Sequence, residues 1–290
     1  MSAIADLPGR AGPVLGHVLR RHPTTVLGAA LLLAMVLLAA LAPWLGTSDP
    51  VLMNPIDRLK SPSSGFWFGT DMYGRDVYSR VAFGARISLA VGISAAVLSI
   101  SLGLLIGVVA GYFRLADAVL MRVMDGLMAI PGILIAIAMV SLAGTSLSTV
   151  IIAITIPEIP RVVRLVRSVV LAVRGEPYVE AAIAAGTRIP LVLTRHVLPN
   201  TIPPLIVQAT YVCASAMITE AILSFLGAGT PPEIPSWGNM MAEGRTYFQL
   251  APWIILFPGL FLAITVLSVN VLGDGLRDTL DPRIARRLRG

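Results

Sequence analysis

Charge is scarce in this chain of 290 residues. Asp, Glu, Lys and Arg make up 13% of it, where a soluble domain carries about a quarter. Lysine is nearly missing: Lys60 stands alone and every other basic residue is arginine. A phosphate-cradling P-loop needs a lysine within a glycine-rich turn. Leu59-Lys60-Ser61 offers no such turn, so this chain is not expected to bind ATP. Cysteine is down to Cys213, which excludes an internal disulfide and any CxxC metal or redox centre. Inside an apolar run it reads as a small packing residue. His17, His22 and His196 are scattered without zinc spacing, and no GxSxG elbow occurs. No catalytic constellation, no metal site and no cofactor is expected in this chain.

What is abundant is apolar surface. Hydrophobic residues reach 56% and the mean hydropathy is +0.82, the balance of a polytopic, all-α membrane protein. A helical span takes about 20 apolar residues. Six runs of that size are readable, at 24–45, 87–112, 118–143, from 149 onward, 201–226 and 251–272. The first could be a signal peptide, since Ala40-Leu41-Ala42 resembles a cleavage site. Its long apolar core and Pro43 directly after the site favour a retained span. The expected organisation is a polar segment 1–23, a first span 24–45, a polar loop 46–86, a five-span core 87–273 containing an inward loop 174–199, and a tail 274–290.

Several local features stand out. Gly103, Gly107 and Gly111 recur every four residues and make a narrow ridge for close helix packing in lipid. Arg122 and Asp125 lie three apart, are expected to pair, and read as an anchor at a span end. Pro157 and Pro160 are expected to break the fourth span's hydrogen-bond ladder, with Glu158 between them. A carboxylate at membrane depth faces protein or water, so Glu158 either lines a path or already sits at an interface. Arg161, Arg164 and Arg167 then follow every three residues and are expected to track lipid phosphates. Glu220 lies near the far end of the fifth span. Asp71, Arg75, Asp76 and Arg80 either pair around a turn at Gly74 or form a solvated interfacial segment. Trp237, Tyr247 and Trp253 suit an interface belt.

The net charge of +6 comes from arginines dispersed between apolar runs. No basic domain with interleaved aromatics exists, which argues against a nucleic-acid partner. Six spans put both termini on one side. That side receives Arg10, Arg20, Arg21, the arginines from 114 to 195, and those from 277 to 289. The other receives Arg58, Lys60, Arg75, Arg80, Arg86 and Arg245. Positive residues favour the cytoplasm, so both termini and the loop 174–199 are expected inside.

Residues 176–199 of that loop, EPYVEAAIAAGTRIPLVLTRHVLP, have the build of a short docking helix. Pro177 suits a first helical position, and 179–185 gives one or two turns. Gly186 suits a left-handed stop. Ala181, Ala182, Ala184 and Ala185 leave the surface small-sided, so the backbone could press closely into another protein's groove. The plain alternative is an alanine-rich loop helix.

Glu180-Ala181-Ala182, then Gly186, then Leu198-Pro199, resembles the EAA loop of bacterial ABC importer permeases, at matching spacing. His196 stands where that pattern has isoleucine, which leaves its role open. Three further strings, FGTDMYGRDVYSRVAFGARISL, TEAILSFLGAGTPPEIPSWGNMMAEGR and LGDGLRDTLDPR, resemble the C-type permeases of dipeptide and oligopeptide importers. The resemblance covers about residues 68–283. It implies a type I importer permease fold in the bacterial inner membrane, a second homologous permease, two cytoplasmic ATPases holding ATP and Mg, and an external binding protein. It assigns ATPase coupling to Glu180, Ala181, Ala182, Gly186, Leu198 and Pro199. The ATPase would push on 180–186, with Leu198 and Pro199 fixing the loop's return. Glu158 and Glu220 are the candidate translocation-path residues. The same strings could serve importers of nickel chelates, haem or glutathione. An ion-coupled secondary transporter would need midplane carboxylates and repeated halves; Glu158 is the sole midplane candidate, and no clear repeat is visible. A membrane-embedded enzyme would need the missing constellation.

Overall fold

The computed structural model describes residues 23–280. The basic residues expected at the inner ends, Arg10, Arg20, Arg21 and those from 283 onward, lie outside the described residues. Helix α1 (Pro23–Leu41) leads through a short turn into an irregular outer segment, and α2 (Val77–Tyr112) follows. Then come α3 (Arg114–Ala129), α4 (Gly132–Ala143) and α5 (Leu147–Arg174). After α5 come α6 (Pro177–Ala184), the single turn α7 (Ile189–Val192) and a π-turn Leu193–Val197. It runs directly into α8 (Leu198–Phe225). A second outer loop carries α9 (Trp237–Gly244), and α10 (Trp253–Leu280) closes the described chain. Among the described residues there is no strand, only an isolated bridge between Thr70 and Asp76.

The glycine ridge finds its partner on α5. A Cβ on Gly103 would lie 2.4 Å from Val162, on Gly107 2.6 Å from Val166, and on Gly111 2.6 Å from Val170. Both series step by four, so each glycine receives one valine, and α2 and α5 run parallel. Close approach maximises dispersion contact where lipid supplies no hydrophobic drive. The register also fixes topology. Residue 112 and residue 147 must lie at opposite ends, so α3 and α4 together carry the chain back across. At the far side of α2, Gly92 admits Met217 and Cys213 of α8. Helix α1 packs on α10 through Gly28 against Val271 and Gly275 against Thr25.

Among the described residues, four helices are long and apolar enough to cross a membrane: residues 23–44, 77–112, 189–225 and 253–279. The α3–α4 pair adds a fifth if counted as one broken span. The six expected are not reached on length and apolarity alone, because α5 carries Glu158, Arg161, Arg164 and Arg167. The expected third span over 118–143 consists of two helices meeting at 87°. Pro131 is the cause. Its ring pushes the residue before it out of helical geometry, and Ile130 is extended at φ −99°, ψ 131°.

The prolines of α5 do the opposite of what the sequence suggests. Pro157 and Pro160 lie inside a continuous helix. Neighbours hold it together: Gly132 presses on Pro157, Pro160 is buried, and Ser99 Oγ donates to the Thr155 carbonyl at 3.4 Å. Packing of this kind lets membrane helices tolerate proline. Helix α2 begins at Val77 rather than near 87. Asp76 caps it, accepting from Ser79 N at 3.0 Å, and the charged residues that made this stretch look like loop are paired instead.

Candidate functional site

The inner loop is built from local signals. Glu176 is the N-cap residue of α6 and Pro177 its first helical position. Gly186 sits at φ +82°. Its N–H donates to the Ile183 carbonyl at 2.9 Å, and the next N–H, Thr187, donates to Ala182 at 3.1 Å. This is a complete Schellman closure, so Ala182 contributes its carbonyl and Gly186 its left-handed backbone. Val179 is fully buried and packs with Val173, Val192 and Val197. Around it, Glu180, Ala181 and Ala184 are exposed, as are Tyr178 and Ile183. The arrangement is a short helix with a small-sided, exposed face.

The return path is rigid. Leu198 N donates to Leu193 O, an i to i−5 bond that closes the π-turn. Pro199, with no N–H, cannot bond the Arg195 carbonyl, and the wider turn accommodates that loss. The His196 ring lies tilted against Tyr178, with ring centres 5.7 Å apart. Asn200 Nδ2 reaches both the His196 carbonyl at 2.6 Å and the Tyr178 hydroxyl at 3.4 Å. Residue 196, whose role the sequence left open, thus ties α6 to the start of α8. Glu180 also borders a cavity of about 390 Å³ shared with Arg114, Asp117 and Arg174.

The arginine ladder on α5, expected to track lipid phosphates, is paired within the chain. Each arginine takes its own carboxylate. Arg161 pairs with Glu158 at 2.9 Å, Arg164 with Asp125 at 2.6 Å, and Arg167 with Asp117 through two bonds of 2.5 and 2.7 Å. The expected Arg122–Asp125 pair is therefore replaced, and α3 is pinned to α5 at two levels. Glu158 accepts a second bond from Ser215 Oγ of α8 at 3.2 Å.

Glu220 is 1% exposed, enclosed by the chain's own outer packing. It accepts from Ser224 at 2.9 Å and from Ser236 at 2.8 Å. Ser236 also caps α9 by accepting from Asn239 N at 3.1 Å. In the described chain Glu220 faces no open surface, so its geometry is that of a strut between α8 and the outer loop.

At the outer end, Asp71 accepts from Arg75 Nε and Arg80 Nη1, each at 2.6 Å. Glu243 of α9 accepts from Arg75 Nη2 and Arg80 Nη1, also at 2.6 Å. Asp71, Arg75 and Arg80 are buried, so the solvated alternative is overturned. Asp76, expected to join them, caps α2 instead. That left two arginines facing one aspartate, a shortage that could have signalled a second acid from elsewhere; the sequence did not say which. Gly74 makes the turn at φ +75°, where a Cβ would sit 1.8 Å from the Asn54 carbonyl oxygen. Trp237 and Trp253 do not form a lipid belt. Their indoles donate to Val81 O and Thr70 O, each at 3.0 Å, bracing the same outer layer. Among the described residues, no group of His, Cys, Asp and Glu could hold a metal ion.

The described residues form a body of long apolar helices with one short, exposed helix, α6, between two of them. The family model described as "binding-protein-dependent transport system inner membrane component" matches residues 99–286. The model for the N-terminal transmembrane domain of oligopeptide transport permease C matches residues 16–62. A probable peptide ABC transporter permease of Sinorhizobium fredii is 58% identical, over 93% of each chain. The dipeptide transport system permease DppC of Alkalihalophilus pseudofirmus is 41% identical, over 92% of this chain and 88% of that one. An inward-facing structure of the MetNI methionine ABC transporter superposes with a TM-score of 0.53 at 20% identity, covering 71% of this chain and 94% of the matched one.

The chain belongs to the family of binding-protein-dependent ABC importer permeases. It has the type I importer fold and is a multi-pass inner-membrane protein. Its family is that of transport permease subunits, which are not themselves enzymes. Its family works with an ATPase and a binding protein.

Proposed function

We propose that this chain is one of two homologous permeases of an importer for di- and oligopeptides, moved by two cytoplasmic ATPases that dock on α6. The observation that carries this reading is the state of α6: closed by Gly186, held by buried Val179 and by Tyr178 against His196, and exposed at Glu180, Ala181 and Ala184. Glu180 faces outward beside Arg114 and Arg174, where it can pair with a basic group of the ATPase. Ala181 and Ala182 let the helix sit deep in a cleft. Leu198 and Pro199 join the loop to α8 without a flexible link, so a push on α6 is passed to a membrane helix. Both termini and α6 lie in the cytoplasm, and the segments 46–76 and 226–252 lie outside, where a peptide-loaded binding protein meets them. Relatives named for peptide and dipeptide transport support the cargo. Glu158 lines the translocation path, while Glu220 holds the outer loop in place.

The test is a reconstituted complex with its ATPases and binding protein. Peptide uptake should require ATP and survive collapse of ion gradients. Gly186→Asp should uncouple ATP hydrolysis from uptake, because a side chain at a left-handed position costs about 1 kcal/mol or more and opens the Schellman closure. Uptake driven by an ion gradient, or normal coupling in Gly186→Asp, would overturn the reading.

A further inference from the structure

Near the middle of α5 a polar wall is left open. Glu158 accepts from Arg161 Nη1 at 2.9 Å and from Ser215 Oγ at 3.2 Å. The Arg161 guanidinium lies 5.2 Å from the centre of the Tyr211 ring. Tyr211 and Ser215 are one turn apart on α8, and Glu158 and Arg161 one turn apart on α5, so four polar side chains meet across one helix seam. The Arg161 side chain is 47% exposed and that of Glu158 13%; Tyr211 is 48% exposed. An arginine at the centre of a membrane helix costs about 2.5–3.5 kcal/mol if it faces lipid. This wall therefore faces water or protein. The other exposed ion pair on α5, Arg164–Asp125, ties two helices of this chain together; Glu158–Arg161 lies within α5 and ties none.

We propose that Glu158, Arg161, Tyr211 and Ser215 form a station for the charged ends of a short peptide, the ammonium group at Glu158 and the carboxylate at Arg161. This rests on the peptide-importer reading above. The empty station is neutral, since its one acid and one base satisfy each other. A zwitterion inserted between them turns one ion pair into two and leaves the net charge at zero. A peptide with one end blocked breaks the resident pair and restores only half of it, leaving one charge of the station unpaired. Geometry permits the exchange. An extended dipeptide spans roughly 7 Å, and the long, half-exposed Arg161 side chain can swing by that much while Glu158 stays bound to Ser215. The Tyr211 ring, already against the guanidinium, supplies an apolar wall for a peptide side chain.

Accessibility and selectivity test this together. Cys213 is the sole cysteine, so Ser215→Cys in a Cys213→Ala background places one thiol at the station of the intact complex. A charged methanethiosulfonate reagent should label it, and free dialanine should slow labelling several-fold. N-acetyl-dialanine amide should not. No labelling would mean that protein covers the wall, and equal slowing by both peptides would mean that the ends are not read; either overturns the station. In the second arm, Arg161→Gln should raise the KM for free dipeptide at least several-fold with little change in kcat, while Arg161→Lys retains most of the preference for free over blocked peptide. Unchanged preference in Arg161→Gln, with ATP-driven peptide uptake intact, refutes the station alone. Absence of any peptide uptake by the wild-type complex refutes the importer reading instead.

Discussion

Replacing Glu243 with glutamine should destabilise the protein far more than its position on a small outer helix suggests. The residue closes a square of two arginines and two acids whose charges cancel. Glutamine keeps the shape but leaves Arg75 and Arg80, with side chains 3% and 1% exposed, sharing Asp71 alone. One positive charge is then buried without a partner. Removing one member of a buried pair costs about 3–5 kcal/mol. Glu243 is 14% exposed, so water reaches part of the site and the lower end, about 3 kcal/mol, is expected. Lys60→Met is the control. Lys60 pairs with Asp57 at the surface and is 49% exposed, and such a pair contributes at most about 1 kcal/mol. Adding Arg75→Met to Glu243→Gln leaves Arg80 and Asp71 as a balanced pair, so the double variant should recover stability relative to the single one. Thermal unfolding of the detergent-solubilised complex, followed by fluorescence-detected size exclusion, gives the order: wild type and Lys60→Met close together, the double variant lower, Glu243→Gln lowest. A Glu243→Gln midpoint equal to that of Lys60→Met, or a double variant that loses the sum of both single losses, would show that the square does not act as a neutral unit.

Gly107→Leu should prevent the α2–α5 contact, since the first added carbon already meets Val166 at 2.6 Å. Overpacking of this kind costs about 1–3 kcal/mol, and Val166→Ala should restore part of the lost thermal stability; no rescue would argue against the parallel register. Gly74→Ala should abolish folding of the outer segment, because its Cβ meets a backbone oxygen that cannot rotate away. Normal yield of assembled complex would contradict that turn. His196→Ala should lower the ratio of uptake to ATP hydrolysis with little loss of thermal stability, and His196→Phe should retain the ring contact with Tyr178 and most of the coupling. Equal coupling in both variants would remove residue 196 from the transmission path.

The sequence alone settled what depends on neighbouring residues. Apolar length made the chain a membrane protein. Pro177 and Gly186 placed the start and stop of α6 within the residues later observed, because a missing N–H and a left-handed backbone are properties of single residues. The four-residue step of Gly103, Gly107 and Gly111 announced a close helix contact. Only the tertiary structure decided which groups meet. The step of three from Arg161 to Arg167 points to lipid phosphates, and only the packing of α3 on α5 brings Asp117 and Asp125 within reach. Glu243 joins Arg75 and Arg80 across 168 and 163 residues, and nothing along the chain encodes that distance. Local geometry is set within a turn or two, whereas the partner of a buried charge is selected by the packing that removes water from both.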